Sequence, residues 1–380
     1  MIKLSFKREE LLKAMDYCIG SIEKKHTMPI LSHVLFDFKD NKCTLISTNI
    51  ETSVIVDISL TEPVESGKIA VPAKYIHDIC KVGRGENINF KYEKATNVLD
   101  INSEKTKYVV PCSDADDFPS VSTVSSEPVV VNIHRMISSF KKLQFSMTEQ
   151  NVNKAYSGVL INRVIENNVP VIEMVTTDIH RISVVTLKDF NMDIENLENG
   201  IVIPGKNFSE LAKIFADEEE VKVSIEDDKI SFSNENVMFI SRLLKNEFPN
   251  YRTVIGGFSV LNEKESSVIN RKELIDGVRR VIALSSDDKI WATKFSFKNS
   301  VLSMTANAQF GGNSKDEILV QKPFDSDKDV GINARYLMDV LSVLDKSDTT
   351  MIVEEGLKPL TILEETDNYS YVHMVMPLRI

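Results

Sequence analysis

The fold is decided by a stretch that recurs three times: VPAKYIHDIC at 71–80, IPGKNFSELAKIF at 203–215 and INARYLMDVLSVL at 332–344. The copies begin 132 and 129 residues apart. Apolar residues recur in each copy at helical spacing. Pro72 and Pro204 open the first two copies, and proline suits the first turn of a helix. A repeat of this length predicts three copies of one structural unit.

Two further landmarks recur at the same period. Amphipathic segments precede the three stretches: KREELLKAMDYCIG at 7–20, NIHRMISSFKKLQFSM at 132–147 and NRKELIDGVRRVIALSS at 270–286. Each carries one apolar stripe and predicts a helix that packs against a core. A proline closes each repeat, at Pro119, Pro249 and Pro377, with separations of 130 and 128 residues.

Short segments of alternating apolar and polar residues fill the space between the helices, for example HVLFDF at 33–38, KCTLIST at 42–48 and EVKVSIED at 220–227. This alternation predicts antiparallel strands, about eight in each repeat. The fold class is therefore α+β, with three similar domains at 1–125, 126–258 and 259–380. Each domain packs two helices on antiparallel sheets, and a doubly wound sheet is disfavoured because strands and helices do not alternate singly.

Composition is that of an ordinary globular protein, with 42% apolar and 27% charged residues in 380. No apolar run is long enough to span a membrane, and the charged first ten residues do not read as a signal peptide. We therefore expect a cytoplasmic protein. None of the four cysteines belongs to a C-x-x-C pair, which predicts reduced thiols without a structural zinc site.

Catalytic motifs are sparse. No phosphate-binding glycine loop and no H-E-x-x-H is present. DADD at 114–117 could hold magnesium, but a solvated acidic loop is favoured. Asp178 and His180, within TTDIHR at 176–181, could form an acid/base or metal pair. A structural turn is favoured there too, and a hydrolase that uses Asp178 and His180 remains the alternative. We expect no cofactor and no metal.

The charges are segregated. The chain has a net charge of −11, yet the six predicted helical segments hold 16 basic and 10 acidic residues. If these helices share one surface, that surface attracts phosphate while the rest of the molecule repels it. The basic set is led by Arg135, Lys141, Lys142, Arg271, Lys272, Arg279 and Arg280.

Over its whole length the chain resembles the bacterial β sliding clamps, the processivity subunits of DNA polymerase III. The resemblance is carried in order by HTMPIL (26–31), TNIE (48–51), VPAKYIHDIC, DADDFPS (114–120), QFSM (144–147), TTDIHRISV (176–184), IVIPGKNFSEL (201–211), FPNYR (248–252), INARYLMDVL and VMPLRI (375–380). No single stretch is specific, but together and in order they are.

The resemblance implies a non-catalytic DNA clamp fold of three like domains in each chain. Two chains would join head to tail in a ring whose helices line the hole. Duplex DNA would be encircled without sequence-specific contacts. The implied partners are the DNA polymerase III α subunit, the clamp-loader complex and other replication and repair proteins that carry a clamp-binding motif. A clamp-like scaffold that is never loaded on DNA is a second alternative.

The resemblance also implies three sets of site residues. The partner-peptide pocket would comprise Tyr156, Thr177, Ile179, His180, Arg181, Ile182, Pro249, Arg252, Val254, Ile290, Asn333, Tyr336, Met374, Val375, Met376, Pro377, Leu378, Arg379 and Ile380. DNA would contact Lys25, Arg135, Lys141, Lys142, Gln150, Lys154, Arg279 and Arg280. The dimer joint would use Ile79, Lys105, Lys107, Tyr108, Leu284, Asp316 and Glu317.

Three positions depart from the family pattern. Ile179 stands where the family usually has glycine, Gly256 stands where a proline often follows FPNYR, and Ile380 replaces the common leucine. A bulky residue at 179 would narrow the pocket or change its peptide preference.

Overall fold

A computed structural model describes residues 2–22, 28–149, 151–166, 168–190, 192–194, 197–255, 266–285, 290–309, 311–354 and 358–379. They form two compact units. The first unit comprises 1–134 with 206–243, and the second unit comprises 135–205 with 244–380.

Seven α-helices lie in the described part of the chain: α1 Arg8–Ile19, α2 Ala73–Val82, α3 Ile133–Leu143, α4 Gly205–Ile214, α5 Tyr251–Ile255, α6 Arg271–Val281 and α7 Ala334–Leu341. Six of them coincide with the six predicted segments, although α2 ends two residues beyond the quoted stretch 71–80, and α5 is an additional helix. Pro72 and Pro204 were placed wrongly in the first helical turn. Each is the last residue of the strand before its helix, where the fixed φ of proline also fits extended backbone.

The described residues also form 22 strands: β1 Ile2–Lys7, β2 His33–Thr48, β3 Thr52–Pro72, β4 Asn87–Glu93, β5 Val98–Ser103, β6 Thr106–Pro111, β7 Val129–Asn132, β8 Gly158–Glu166, β9 Val169–Thr177, β10 Arg181–Leu187, β11 Ile201–Pro204, β12 Glu220–Glu226, β13 Lys229–Ser233, β14 Val237–Arg242, β15 Ser266–Asn270, β16 Ala292–Lys298, β17 Val301–Asn307, β18 Asn313–Leu319, β19 Lys328–Asn333, β20 Asp348–Ile352, β21 Leu360–Glu365 and β22 Tyr369–Val375. Within the described ranges the last two repeats hold eight strands each, as predicted. The first holds six, because β2 and β3 run 16 and 21 residues and merge segments that the sequence separated.

All strand pairs are antiparallel. In the first unit the sheets have the orders β1-β4-β5-β6 and β2-β3-β14-β13-β12-β7. In the second unit they have the orders β11-β8-β9-β10-β22-β21-β20-β15 and β18-β17-β16-β19. Two of these sheets join strands from successive repeats, through Thr52 opposite Ser241 and through Arg181 opposite Val375.

These two pairings explain why the chain compacts into two units although the sequence repeats three times. Each large sheet belongs to two repeats at once. The domain limits at 125 and 258 stay a prediction, and position 258 lies outside the described residues.

The three evenly spaced prolines do not occupy equivalent places. The strands before them end at Pro111, Arg242 and Val375, so Pro119 and Pro249 follow a connecting loop whereas Pro377 lies two residues after its strand. The even spacing of the three prolines therefore wrongly predicted structural equivalence. The helices, in contrast, do repeat three times.

Aromatic rings and buried thiols mark the core of the first unit. Phe6 lies 5.9 Å from Phe36 and 5.1 Å from Phe90, measured between ring centroids. Burial raises the pKa of Cys18 and of Cys80 to about 12, so both thiols are neutral core side chains. No helix in the described ranges is long and apolar enough to cross a membrane.

The core of the second unit contains a buried histidine. His373 is fully buried on β22, and its Nδ1 lies 2.7 Å from Ser183 Oγ on β10. Burial, with a further contribution from Arg181, lowers the pKa of His373 to about 3. The imidazole is therefore neutral at physiological pH.

This burial predicts a pH dependence of stability. Below the unfolded pKa of about 6.5, the unfolded chain binds a proton that the folded chain excludes, so folding stability falls as pH drops. From this group alone we expect a loss of about 1.4 kcal/mol between pH 7.5 and pH 5.5. Urea unfolding of the wild type and of His373→Asn at both pH values measures it. Equal pH dependence in the two proteins would contradict it.

Candidate functional site

The turn between β9 and β10, residues 177–181, is fixed by its own side chains. Thr177 Oγ1 donates to the carbonyl of Arg181 at 2.7 Å and accepts from the amide of Ile179 at 3.2 Å. Asp178 Oδ1 accepts from the amides of His180 and Arg181, each at 3.0 Å. This network is an Asx turn, in which the side chains of Ile179 and His180 are exposed.

Arg181 anchors this turn to the second unit. Its Nε donates to Asp178 Oδ2 at 3.0 Å, and its Nη1 donates to Asp339 Oδ2 on α7 at 2.5 Å. Its Nη2 donates to the carbonyl of Phe145, and the guanidinium carbon lies 4.3 Å from the ring centroid of Tyr336. A charge this buried is retained because every side of it is paired.

The geometry gives Asp178 and His180 no catalytic arrangement. The Asp178 carboxylate is occupied by two amides of its own turn and by Arg181. The His180 ring stacks on Tyr336 at 6.4 Å with an interplanar angle of 20°. The structural-turn interpretation is the one that fits, and the hydrolase alternative has no support here.

The acidic stretch at 114–117 has a similar explanation. Asp114 Oδ1 accepts from the amide of Asp116 at 3.0 Å and caps a short helical turn. Across the described ranges no group of three or more His, Cys, Asp or Glu side chains could hold a metal.

The end of β22 runs beside the turn. The Met376 amide donates to the His180 carbonyl at 2.8 Å, and the Leu378 amide donates to the Gly331 carbonyl at 2.7 Å. Asn333 Oδ1 caps α7 by accepting from the Arg335 amide at 3.1 Å. These bonds bring the turn, α7 and the C-terminal segment together. We call the surface formed by the 177–181 turn, Tyr336 and 376–378 the His180 surface.

A continuous apolar cluster lies in the same unit. Its buried members are Leu160, Val175, Ile182, Val184, Val202, Tyr251 and Met374. Leu244, Phe248, Ile255 and Val372 pack against it. Ile179 and Ile290 are each 54% exposed, and Met376 is 43% exposed. Exposed apolar groups beside a fixed polar turn suit the docking of a peptide.

Tyr251 and Tyr336 are held neutral. Burial and the neighbouring Glu173 raise the pKa of Tyr251 to about 12, and its hydroxyl contacts both Glu173 and Asn162. Burial, and then the charge of Asp178, raise the pKa of Tyr336. Both phenols therefore act as hydrogen-bonding and stacking groups.

The structure brings together most of the residues predicted for the pocket. Gathered at the His180 surface or in the sheet behind it are Thr177, Ile179, His180, Arg181, Ile182, Asn333, Tyr336, Met374, Val375, Met376, Pro377 and Leu378. Arg379 is exposed at the end of the same segment. The side chain of Val254 and the whole of Ile380 lie outside the described residues.

Three other predicted pocket residues make contacts within the second unit. Arg252 pairs with Glu173 at 2.8 Å, and the Pro249 carbonyl accepts from the Tyr251 amide at 2.7 Å. The Tyr156 carbonyl accepts from the Thr148 amide at 2.9 Å.

Sequence reasoning missed Phe145 and Asp339. Phe145 lay within the quoted QFSM stretch, but Asp339 carried no signal because its partner, Arg181, is 158 residues away.

The basic helix residues divide into two classes. Lys142 is buried: its Nζ donates to the Val343 carbonyl at 2.7 Å and lies 3.0 Å from Asp345. Arg135 donates to the carbonyls of Lys188, Asp189 and Asn368. Both cations make their hydrogen bonds within the second unit. A phosphate contact needs an exposed cation, so the structure does not favour either residue as a DNA contact.

The other predicted DNA contacts that the structure describes are exposed. Lys141 and Lys154 are exposed, as are Arg279 and Arg280 of α6. Arg279 lies 3.7 Å from Asp276, and Arg280 lies 2.7 Å from Asp316. Lys25 and Gln150 lie outside the described residues.

In the first unit, the predicted joint lies on an edge strand. β6 is the last strand of its sheet, and Lys105 and Lys107 are exposed on or beside it. Tyr108 is half-buried, whereas Ile79 is buried in the unit. Val109 on β6 is 70% exposed and was not predicted.

The residues predicted for the other side of the joint lie on or near an edge strand of the second unit. β18 ends its sheet and carries Asp316 and Glu317, and Leu319 on it is 71% exposed. Leu284, which follows α6, is also exposed. Asp316 already pairs with Arg280, and Glu317 lies 2.6 Å from Lys315.

Family models match the chain in three consecutive parts. The DNA polymerase III beta subunit N-terminal domain matches residues 2–122, the central domain matches 130–250 and the C-terminal domain matches 261–379.

Relatives and solved structures agree with these matches. Beta sliding clamps of Pseudomonas aeruginosa and Staphylococcus epidermidis are 26% and 23% identical to the chain, over 99% and 100% of both partners. A crystal structure of the P. aeruginosa clamp superposes over all of both chains with a TM-score of 0.89 at 24% identity. The Caulobacter crescentus pol III beta structure gives 0.90 at 21% identity, also over all of both chains.

The backbone conformation of Ile179 predicts how a substitution there changes the stability of the protein. Its φ is +80°, a left-handed conformation that costs a β-branched residue about 1–2 kcal/mol. Glycine removes that strain at an entropic cost of about 0.5–1 kcal/mol. We therefore expect Ile179→Gly to raise the free energy of unfolding in urea by about 0.5–1 kcal/mol.

The matched control is Ile165→Gly on β8. Ile165 is also exposed but has no positive φ, so this change should destabilise the protein by about 1 kcal/mol. Equal destabilisation by the two changes would contradict the strain at Ile179.

Proposed function

The chain belongs to the DNA polymerase III beta subunit family, and we propose that it works by encircling duplex DNA as a head-to-tail dimer while partner peptides dock on the His180 surface. It is a DNA polymerase III sliding clamp, a non-catalytic processivity factor. The single observation that supports the docking site best is the pairing of Met376 with His180, which joins the turn to the C-terminal segment.

The exposed cations of α3 and α6 support the DNA contact. Lys141, Lys272, Arg279 and Arg280 are exposed in a protein whose net charge is −11. Phosphate contacts of this kind hold DNA without reading its sequence. Lys142 and Arg135 hold α3 within the second unit and are not themselves proposed as contacts.

The two edge strands support the joint. An unpaired strand edge is a template for pairing with another chain. β6 offers Lys105, Lys107 and the exposed Val109, whereas β18 offers Glu317 and the exposed Leu319. A contact between unlike edges is head to tail, and opposite charges fix its orientation.

The proposed partners follow from the family. They are the DNA polymerase III α subunit, the clamp-loader complex and other replication and repair proteins with a clamp-binding motif, and the proposed location is the cytoplasm. The His180 surface can serve several partners in turn because the exposed methionine adapts to different side chains.

The ring is tested by changing the charge of one edge. We expect Lys105→Glu/Lys107→Glu to give a light-scattering mass near the 42.9 kDa of one chain, against twice that for the wild type. After loading by the cognate clamp loader, the wild type should stay on nicked circular DNA and slide off linear DNA, and the variant should stay on neither.

The control is Lys91→Glu/Lys94→Glu, because Lys91 lies on β4, which is not an edge strand. It should remain dimeric. An unchanged dimer mass for the β6 variant would refute the proposed joint. Equal retention on circular and linear DNA would refute encirclement.

The docking site is tested by truncating its apolar side chains. Met376→Ala/Leu378→Ala keeps both backbone hydrogen bonds of the segment and removes the contact area. For a synthetic peptide carrying the clamp-binding motif of the cognate α subunit, we expect about tenfold weaker binding by isothermal titration.

The control, Ile165→Ala/Val169→Ala, removes exposed apolar groups elsewhere in the second unit and should leave the affinity unchanged. Wild-type affinity in the Met376/Leu378 variant would rule the site out.

A further inference from the structure

The turn between β2 and β3, residues 48–52, repeats the design of the 177–181 turn. Thr48 Oγ1 donates to the Thr52 carbonyl at 3.0 Å and accepts from the Ile50 amide at 3.1 Å. Asn49 Oδ1 accepts from the amides of Glu51 and Thr52 at 3.0 and 2.7 Å. Position by position, these are the bonds that Thr177 and Asp178 make in the second unit.

The same unusual residue sits at the same place in both turns. Nine non-glycine residues have a positive φ in the described part of the chain. Seven of them are Asp, Asn or Glu, and the two β-branched ones are Ile50 at +77° and Ile179 at +80°. Strained β-branched residues of this kind concentrate at functional sites.

The neighbouring strand is repeated too. The Arg242 amide at the end of β14 donates to the Glu51 carbonyl at 2.8 Å. The Met376 amide after β22 donates to the His180 carbonyl at the same distance. Glu51 and Arg242 therefore occupy the places that His180 and Met376 occupy on the His180 surface.

A cavity of about 110 Å³ lies against this turn in the first unit. Ile50, Val121 and Ile240 give it apolar walls, and Ser122, Lys229 and Arg242 give it polar ones. Since one water needs about 10–15 Å³, the cavity admits a group of several heavy atoms. Lys229 Nζ donates to Ser122 Oγ, which fixes the connecting segment as one wall.

The charges of the lining select the ligand. Lys229 and Arg242 line the cavity with one acidic residue, Glu51. Arg242 is exposed and forms an ion pair with Asp228, whose Oδ2 lies 3.7 Å from its Nη1, too far for a hydrogen bond. These two cations beside aliphatic walls favour a carboxylate next to an aliphatic side chain.

We propose that this cavity is a second docking site, which takes an acidic peptide that presents a carboxylate beside an aliphatic side chain. The proposal rests on the proposed docking function of the His180 surface, whose backbone frame it shares. The two sites differ in selectivity, because Arg242 replaces Met376 and Glu51 replaces His180. An acidic peptide is therefore preferred at Ile50 and not at Ile179.

The test observes both turns in one experiment. The full chain is labelled with ¹³C at isoleucine δ-methyl groups and titrated with acetyl-Asp-Leu-Asp-Leu-amide. Its matched control is acetyl-Asn-Leu-Asn-Leu-amide. We expect saturable shifts at the Ile50 methyl with the Asp peptide and affinity lower by about tenfold with the Asn peptide, as for the loss of one charge-assisted contact.

Variants identify the groups responsible. Lys229→Gln/Arg242→Gln should weaken the Asp peptide by about tenfold, and Lys222→Gln on β12 should not. Ile50→Gly suits the positive φ, removes one apolar wall and should also weaken binding, as followed by fluorescence anisotropy of a labelled peptide. Absence of a saturable Ile50 shift, or equal binding of the Asp and Asn peptides, would overturn the proposal.

The two proposals fail separately. The α-subunit peptide should shift the Ile179 methyl, so loss of that response alone counts against the docking function of the His180 surface. An Asp peptide that shifts Ile179 and leaves Ile50 unchanged overturns the second site alone.

Discussion

The structure depends on two strand pairings that join successive repeats, β3 with β14 and β10 with β22. The end of a sheet exposes amides and carbonyls that must be paired, and here the next repeat supplies the strand. The large sheets of the two units exist only because of these pairings. Each pairing also places the end of the added strand beside a turn of the previous repeat. Arg242 lies beside the 48–52 turn, and Met376 lies beside the 177–181 turn.

That constraint explains where the candidate sites lie. A turn alone presents two side chains, and a strand end alone presents one. Their backbone hydrogen bond, 2.8 Å in both units, joins the turn to the strand end and so forms one surface. The backbone frame can therefore stay fixed while the side chains at 51, 180, 242 and 376 determine what binds.

The helices could be predicted from the sequence because helical periodicity and a fixed repeat are local signals. Strand limits could be predicted less well. The chain passes through residues 38–42 with two register shifts, so two predicted segments form the single strand β2. Sequence patterns show alternation but do not show whether an interruption ends a strand or only bulges it.

The sequence could not predict which charged side chains are exposed and which are buried. Lys141 and Lys142 are neighbours of the same type on α3, yet Lys141 is exposed and Lys142 is buried against Asp345 and Glu364. The partners of Lys142 lie more than 200 residues away, and nothing local distinguishes the two lysines. The candidate site could not be predicted in full for the same reason. Arg181 donates hydrogen bonds to Asp339 and Phe145, which are distant in sequence and come together only in the folded chain.

Ile50 and Ile179 show both what the sequence indicates and what only the folded chain determines. Thr-Asx at the start of each turn is a readable signal, but a β-branched residue two places after the threonine argues against a left-handed conformation. The structure holds Ile50 and Ile179 there nonetheless, because the Thr and Asx side chains bond every amide that the turn leaves open. Each isoleucine side chain is about half exposed beside a strand end. A glycine would relieve the strain but would leave no apolar contact. The isoleucine therefore lowers the stability of the turn and provides an apolar surface for binding.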